Sequence, residues 1–164
     1  MKNVYLVGGT MGVGKTTICQ QLKRKLPNSV FLDGDWCWDA DPFWVTEETK
    51  KMVLENICFL LNQFIQCSVY DNIIFCWVMH QQEIIDYIVE QLNKTDCKIR
   101  TISLTAKESE LRERLKKDIE EGKRTEDILD RSTERLACYN RLSTVKIDTD
   151  KRSIEDIAEE IAKL

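Results

Sequence analysis

The sequence predicts an α/β fold built on a parallel sheet, and two observations carry that prediction. Short, continuously apolar runs rich in β-formers alternate with longer segments whose apolar residues recur every three or four positions. The first run opens directly into Gly9-Thr10-Met11-Gly12-Val13-Gly14-Lys15-Thr16, which fits the pattern Gly, four residues, Gly-Lys-Ser/Thr without a mismatch. Runs lacking polar alternation are strands covered on both faces, as parallel strands are.

Val4, Tyr5, Leu6 and Val7 make the first strand, and Ile18, Cys19, Leu22 and Leu26 mark the helix after the glycines, ended by Pro27. Between them, Gly9, Gly12 and Gly14 let the main chain wrap an anion, and the new helix aims its free amides and positive dipole end at the same place. That is the chemistry of a phosphate cradle. The main chain from Gly9 to Gly14, Val13 included, is expected to meet phosphate oxygens. Lys15 is expected between the β- and γ-phosphates of a bound triphosphate, Thr16 in a Mg²⁺ shell and Thr17 at the α-phosphate.

The second strand, Val30 to Leu32, runs into Asp33-Gly34-Asp35. Ligands in open α/β sheets sit at the carboxyl ends of strands, so both carboxylates are expected beside the phosphate loop. Asp33 is assigned to the Mg²⁺ shell and Asp35 to the proton of an attacking hydroxyl. Simple turn chemistry is the competing account of Asp-Gly-Asp. Three of the four tryptophans follow in Trp36-Cys37-Trp38-Asp39-Ala40-Asp41-Pro42-Phe43-Trp44. Trp36 and Trp38 are candidate contacts for an acceptor, with packing onto the domain as the equal alternative.

Thr46 caps a long helix with an apolar face from Val53 to Ile65, and Ile73 to Val78 is a central strand. That strand ends without an acid, at Met79-His80, and His80, the single histidine, is a second candidate on the acceptor side. A helix from Glu83 to Asn93 precedes Asn93-Lys94-Thr95-Asp96, which matches a guanine-specificity string but closes a helix instead of leaving a strand. After the strand Lys98 to Leu104, Thr105 with Glu108 is read as a capping box and Thr125 as the cap of the following helix. These helices carry Arg112, Arg114, Lys116, Lys117, Arg131 and Arg135 around Gly122. Most such charges are solvated surface, yet a lid over about 112–136 with cations for phosphoryl transfer is an expectation, with Arg114 and Arg131 as its candidates. The last strand, Thr144 to Ile147, leads to a loop from Asp148 to Arg152 expected to border the adenine, with Thr149 in it. The final helix is capped by Ser153 and docks through Ile154, Ile157, Ala158, Ile161 and Ala162.

The 164 residues are read as one domain, with 43% hydrophobic residues for its core and a net charge of -4 that argues against a nucleic-acid or anionic-membrane footprint. Seven cysteines without a Cys-x-x-Cys pair read as reduced thiols, and with no leader the expectation is a cytoplasmic protein, monomeric or homodimeric.

The phosphate loop, Asp33-Gly34-Asp35 after the second strand, the arginine-bearing helical pair and the terminal Asp148-Thr149 loop resemble the small P-loop kinases of metabolites and nucleotides. Asp33-Gly34-Asp35 looks like the Asp-x-Asp of shikimate kinase and the related acids of gluconate, adenylylsulfate and chloramphenicol kinases. Arg114-Leu115 resembles the start of the Arg-Leu-x-x-Arg of nucleotide kinases, with Asp118 where the second arginine stands. The resemblance implies a three-layer P-loop fold, a five-stranded parallel sheet in the order 2-3-1-4-5 with helices on both faces and a helical lid. It also implies ATP- and Mg²⁺-dependent transfer to a small hydroxyl or phosphate acceptor. The signatures of individual members on the acceptor side are absent. A nucleotide sensor and a self-contained NTPase are the alternatives.

Overall fold

The computed structural model describes residues 1–164. In chain order it contains β1 (Lys2–Gly8), α1 (Lys15–Lys25), β2 (Ser29–Asp33), a 3-10 turn at Gly34–Cys37, α2 (Glu47–Gln66), β3 (Asn72–Trp77) and α3 (Gln82–Gln91). Then follow β4 (Cys97–Thr105), α4 (Glu108–Glu120), α5 (Ile128–Asn140), β5 (Val145–Asp148) and α6 (Ile154–Ala162). Every strand pairs in parallel, in the order β2-β3-β1-β4-β5, as the resemblance implied.

Side-chain alternation along the strands divides the apolar runs between two cores. Val4 and Leu6 of β1 with Ile73 and Phe75 of β3 meet Ile57 and Leu61 of α2, Ile88 of α3 and Tyr139 of α5. Tyr5 and Val7 with Ile74 and Cys76 face the other way, onto Ile18 and Leu22 of α1 and Ile157 and Ile161 of α6. A third, small cluster of Leu111, Leu115 and Ile128 joins α4 and α5, with Met11 of the phosphate loop against it. No helix is long and apolar enough to cross a membrane.

Two helix starts differ from expectation. Thr105 does not cap α4; it is still in β4, in register with Asp148 of β5, and its hydroxyl donates to the Ile147 carbonyl at 3.4 Å. The helix begins at Glu108, and the Lys107 amide donates to the Asp150 carboxylate at 3.0 and 2.9 Å. A loop 43 residues downstream thus supplies the oxygens that Thr105 was expected to give. Likewise Thr125 does not cap α5. Its carbonyl accepts from Ile128 N–H at 3.2 Å in a turn that delays the helix to Ile128. Ser153 does cap α6, through the Asp156 amide at 3.1 Å. Ile154, expected to dock on the sheet, is instead exposed at the rim of a cleft beside the phosphate loop.

Because Asp150 serves as the distant cap of α4, Asp150→Ala is expected to cost about 1 kcal/mol in urea unfolding, and Asp150→Asn much less, since the amide oxygen still accepts.

Candidate active site

The loop between β1 and α1 is held from both sides. Gly12 and Gly14 have φ of 84° and 100°, a region that disfavours side chains. A Cβ on Gly12 would lie 2.6 Å from Leu115 Cδ2, so α4 packs directly on the loop. Thr10 is fully buried and its hydroxyl donates to the Ser132 carbonyl of α5 at 2.9 Å. Val13 has its side chain buried, which leaves its main chain as the part able to meet a ligand. The loop is therefore a rigid seat.

Lys15 Nζ donates to the Thr10 carbonyl at 3.0 Å. Burial lowers its pKa, opposed by the Cys76 thiol and the Asp35 and Asp33 carboxylates around it. Thr16 donates from Oγ1 to Asp33 Oδ2 at 2.8 Å, tying the start of α1 to the end of β2. The other oxygen, Asp33 Oδ1, accepts from the Asp35 amide at 3.1 Å. Asp33 is buried, and both of its oxygens are engaged.

Asp35 is held differently. The residue is exposed, yet desolvation by its surroundings and the Asp33 carboxylate push its pKa above the usual range, against the pull of Lys15, the Trp77 indole and Arg124. Gly34 makes this placement possible, because a Cβ there would lie 2.4 Å from Trp77 Cγ. Trp77, at the carboxyl end of β3, is the backing of the Asp-Gly-Asp turn, and sequence reading missed it. The available signal was a large aromatic at the carboxyl end of the most apolar strand.

On the other side of the loop, a cleft is lined by Gly12, Gly14, Thr17, Arg114, Thr149 and Ile154, among others. Arg114 donates from its guanidinium to Thr149 Oγ1 at 3.0 Å and to the Thr149 carbonyl at 3.1 Å, and the Thr149 hydroxyl donates to the Thr105 carbonyl at 3.0 Å. Arg114 and Thr149 thus stand together next to Gly12, Gly14 and Thr17.

Arg131 stands apart from this centre. It is exposed and pairs with Asp127 of the turn before its own helix at 2.8 Å. Arg124, which bridges to Asp118 at 3.2 Å, is the cation of this helical pair whose charge acts on Asp35. His80 lies after β3, with its pKa lowered by burial and by Arg135, and its Nδ1 is buried without a partner. Trp36 stands edge-on to Phe31, centroids 5.4 Å apart, and is exposed. Trp38 is half-buried, stacked on Phe43 at 4.2 Å and packed against the core.

No group of three or more His, Cys, Asp or Glu side chains gathers anywhere in the chain. One hydroxyl and one buried carboxylate, Thr16 and Asp33, form the oxygen pair that fits Mg²⁺, an ion that keeps several waters and takes phosphate oxygens for the rest of its shell. Zinc-type chemistry has no ligand set here.

The raised Asp35 pKa carries a stability consequence. A carboxyl that binds its proton more tightly when folded loses stability as pH rises from the unfolded value, near 3.8, through the folded one. Asp35→Asn is therefore expected to raise the Tm of the nucleotide-free protein at pH 7, with the gain shrinking toward zero as the pH is lowered below both values.

Comparison with known proteins follows the same lines. The family described as AAA domain matches residues 6–136. No curated protein matches the chain at significant sequence similarity. Among solved structures, a gluconokinase from Sinorhizobium meliloti 1021 matches with a TM-score of 0.69 at 18% identity, over 97% of this chain and 89% of that one. The tunicamycin resistance protein of Deinococcus radiodurans matches with a TM-score of 0.76 at 18% identity, over 99% of this chain and 95% of that one. The APS kinase of Mycobacterium tuberculosis, solved with AMPPNP and APS, matches with a TM-score of 0.69 at 16% identity, over 99% of this chain and 95% of that one. Small P-loop kinases are thus prominent among the chain's structural neighbours.

Proposed function

The chain belongs to the AAA domain family, and from that premise we propose that it is a kinase, transferring the γ-phosphate of Mg-ATP to a hydroxyl or phosphate group of a small molecule. The observation that carries the reading is the division of labour between two neighbouring carboxylates. Asp33 is buried and spoken for by Thr16 and the Asp35 amide, whereas Asp35 is exposed with a pKa pushed upward. A metal partner must stay ionised and fixed, and a proton acceptor must be basic and reachable.

In this reading Lys15 and the main chain of Gly9 to Gly14 bind the β- and γ-phosphates, and Thr17 meets the α-phosphate. Arg114 and Thr149 hold the base end of the nucleotide. Thr16 and Asp33 hold Mg²⁺, which when bound spreads the charge that develops on the phosphate oxygens. Asp35 takes the proton of the acceptor hydroxyl while its oxygen forms a bond to the γ-phosphorus and the bond to the β-phosphate oxygen breaks, releasing ADP. Lys15 stays next to the reacting phosphate throughout. Arg124 approaches the same place from the turn between α4 and α5, and Arg131 follows only if that region, about 112–136, closes as a lid. Arg124 is the better candidate for the closing cation, since its charge already reaches Asp35. The surroundings expected of this chemistry are cytoplasmic, with ATP, Mg²⁺ and a small acceptor as its partners.

The test is ADP release from Mg-ATP against pooled nucleosides, nucleotides, sugar acids and hydroxyl-bearing antibiotics. Stimulation is expected in the wild type, with a fall of about 10²–10⁴-fold in Asp35→Asn, the usual scale for removing a general base, and nucleotide binding kept. Flat traces with every pool, despite measurable nucleotide binding, would replace the kinase reading with a sensor. Steady release without any acceptor, undiminished in Asp35→Asn, would make the protein an NTPase. Lys15→Ala is expected to abolish triphosphate turnover with little change in Tm; unchanged turnover would remove the phosphate-loop assignment. For a hydroxyl acceptor the rate should also fall as pH drops through the Asp35 pKa, because only the ionised carboxylate accepts the proton, and this limb should begin at a higher pH than an ordinary aspartate would set.

A further inference from the structure

The connection from the Asp35 turn to α2 exposes more aromatic surface than a linker requires. Trp36, Phe43 and Trp44 are 62%, 56% and 68% exposed. Phe43 stacks on Trp38, whereas Trp36 stands edge-on to Phe31. Trp36 and Trp44, with Cys37, Trp38, Ala40 and Met52, line an open cleft of about 510 Å³, within the range of pockets that hold small ligands. Its floor is firm, since Trp38 stacks on Phe43 and the Cys37 carbonyl accepts from Asn56 of α2 at 3.2 Å. Asp35 immediately precedes Trp36 in the same 3-10 turn, so one short turn carries both the proton acceptor and a wall of the cleft.

The charge of this cleft is as informative as its shape. Its lining contains no lysine, arginine or histidine, and its one ionisable acid is Asp39. The nearest lysines on α2 are committed elsewhere, Lys50 to Glu47 at 2.8 Å and Lys51 to Glu55 at 3.7 Å. The Cys37 thiol is pushed up in pKa by burial and by the Asp33 and Asp35 carboxylates, which marks this side of the site as electronegative. An anionic acceptor such as a sugar acid or a nucleoside monophosphate would enter without a cation to receive it, its charge left unpaired as water is displaced. A flat ring would instead find indole faces, and a cation would be welcomed by both the rings and the carboxylates.

We propose that this cleft is the acceptor site and that the acceptor is a neutral or cationic alcohol bearing a flat ring, stacked on Trp36 and Trp44 with its hydroxyl presented to Asp35. The inference rests on the kinase reading above and narrows it, setting aside the anionic half of the possible acceptors. Trp38 is a support for the site, because its ring is already occupied by Phe43.

The experiment separates binding from transfer. Quenching of tryptophan emission is titrated with uridine and phenyl glucoside as neutral ring-bearing alcohols, and with gluconate and AMP as anions, in the presence of Mg²⁺ and a non-hydrolysable ATP analogue. ADP release is measured with the same four compounds and Mg-ATP. Trp36 and Trp44 are exposed enough that their truncation leaves the fold intact, which circular dichroism checks. The expected result is quenching and turnover with the neutral pair alone, and in the Trp36→Ala, Trp44→Ala double variant a KM raised about tenfold with kcat within about twofold, the scale of lost stacking. Quenching by the neutral pair without Asp35-dependent ADP release supports the aromatic site and overturns the kinase reading. Turnover of gluconate or AMP with no response to the neutral pair overturns the acceptor class and leaves the kinase reading standing. Absence of quenching by the neutral pair overturns the proposal, and so does a concentration-dependent dimer abolished by Trp44→Ala, which would make the aromatic face a subunit contact.

Discussion

The Asp33 carboxylate is the point on which the site depends. One oxygen accepts from Thr16 at the start of α1 and the other from the Asp35 amide, so a single buried group fixes the helix that receives phosphate and the turn that presents the second acid. A buried carboxylate is tolerated only when its oxygens are satisfied, and this one spends its bonds on the two elements that must keep their distance from each other. Burial lowers the pKa of Lys15 against the pull of Asp33, whereas burial and the Asp33 carboxylate together raise that of Asp35.

The phosphate loop is not a free-standing motif in this fold. Leu115 of α4 fills the space a Cβ on Gly12 would need, Ser132 of α5 accepts from Thr10, and Arg114 clamps the Thr149 loop after β5. The cleft beside the loop therefore draws its walls from α1, α4, the loop after β5 and α6, elements far apart in sequence. Movement of the α4–α5 pair would be felt at the loop through packing and through one buried hydrogen bond. The exposed tip around Gly122, at φ 71° with nothing within 4 Å of its missing side chain, is under no such constraint.

The two sides of Asp35 are chemically unlike. Toward the loop lie Lys15 and the amides of a helix start; toward the Trp36–Trp44 connection lie indole faces and acids. A triphosphate and the proposed ring-bearing alcohol make opposite demands on their surroundings, and the proposal rests on that asymmetry. The fold is shared with a gluconokinase at 18% identity and an APS kinase at 16%, a range in which the sheet persists while loops diverge.

The class of fold, the strand and helix series and the phosphate loop were legible from the residues alone, because these rest on local periodicity and on a motif whose glycines answer to backbone geometry. Asp33 and Asp35 were legible for the same reason, standing at a strand end where a parallel sheet puts its ligands. The remaining features come from contacts between elements distant in the chain. The cap of α4 comes from Asp150 and not Thr105, Ile154 faces a cleft and not the sheet, and Arg124 rather than Arg131 is the cation felt at Asp35. Trp77 behind Gly34 belongs with these. Each depends on which residues the crossovers bring together across tens of positions, and neither the spacing of a single segment nor its local propensity encodes that distance.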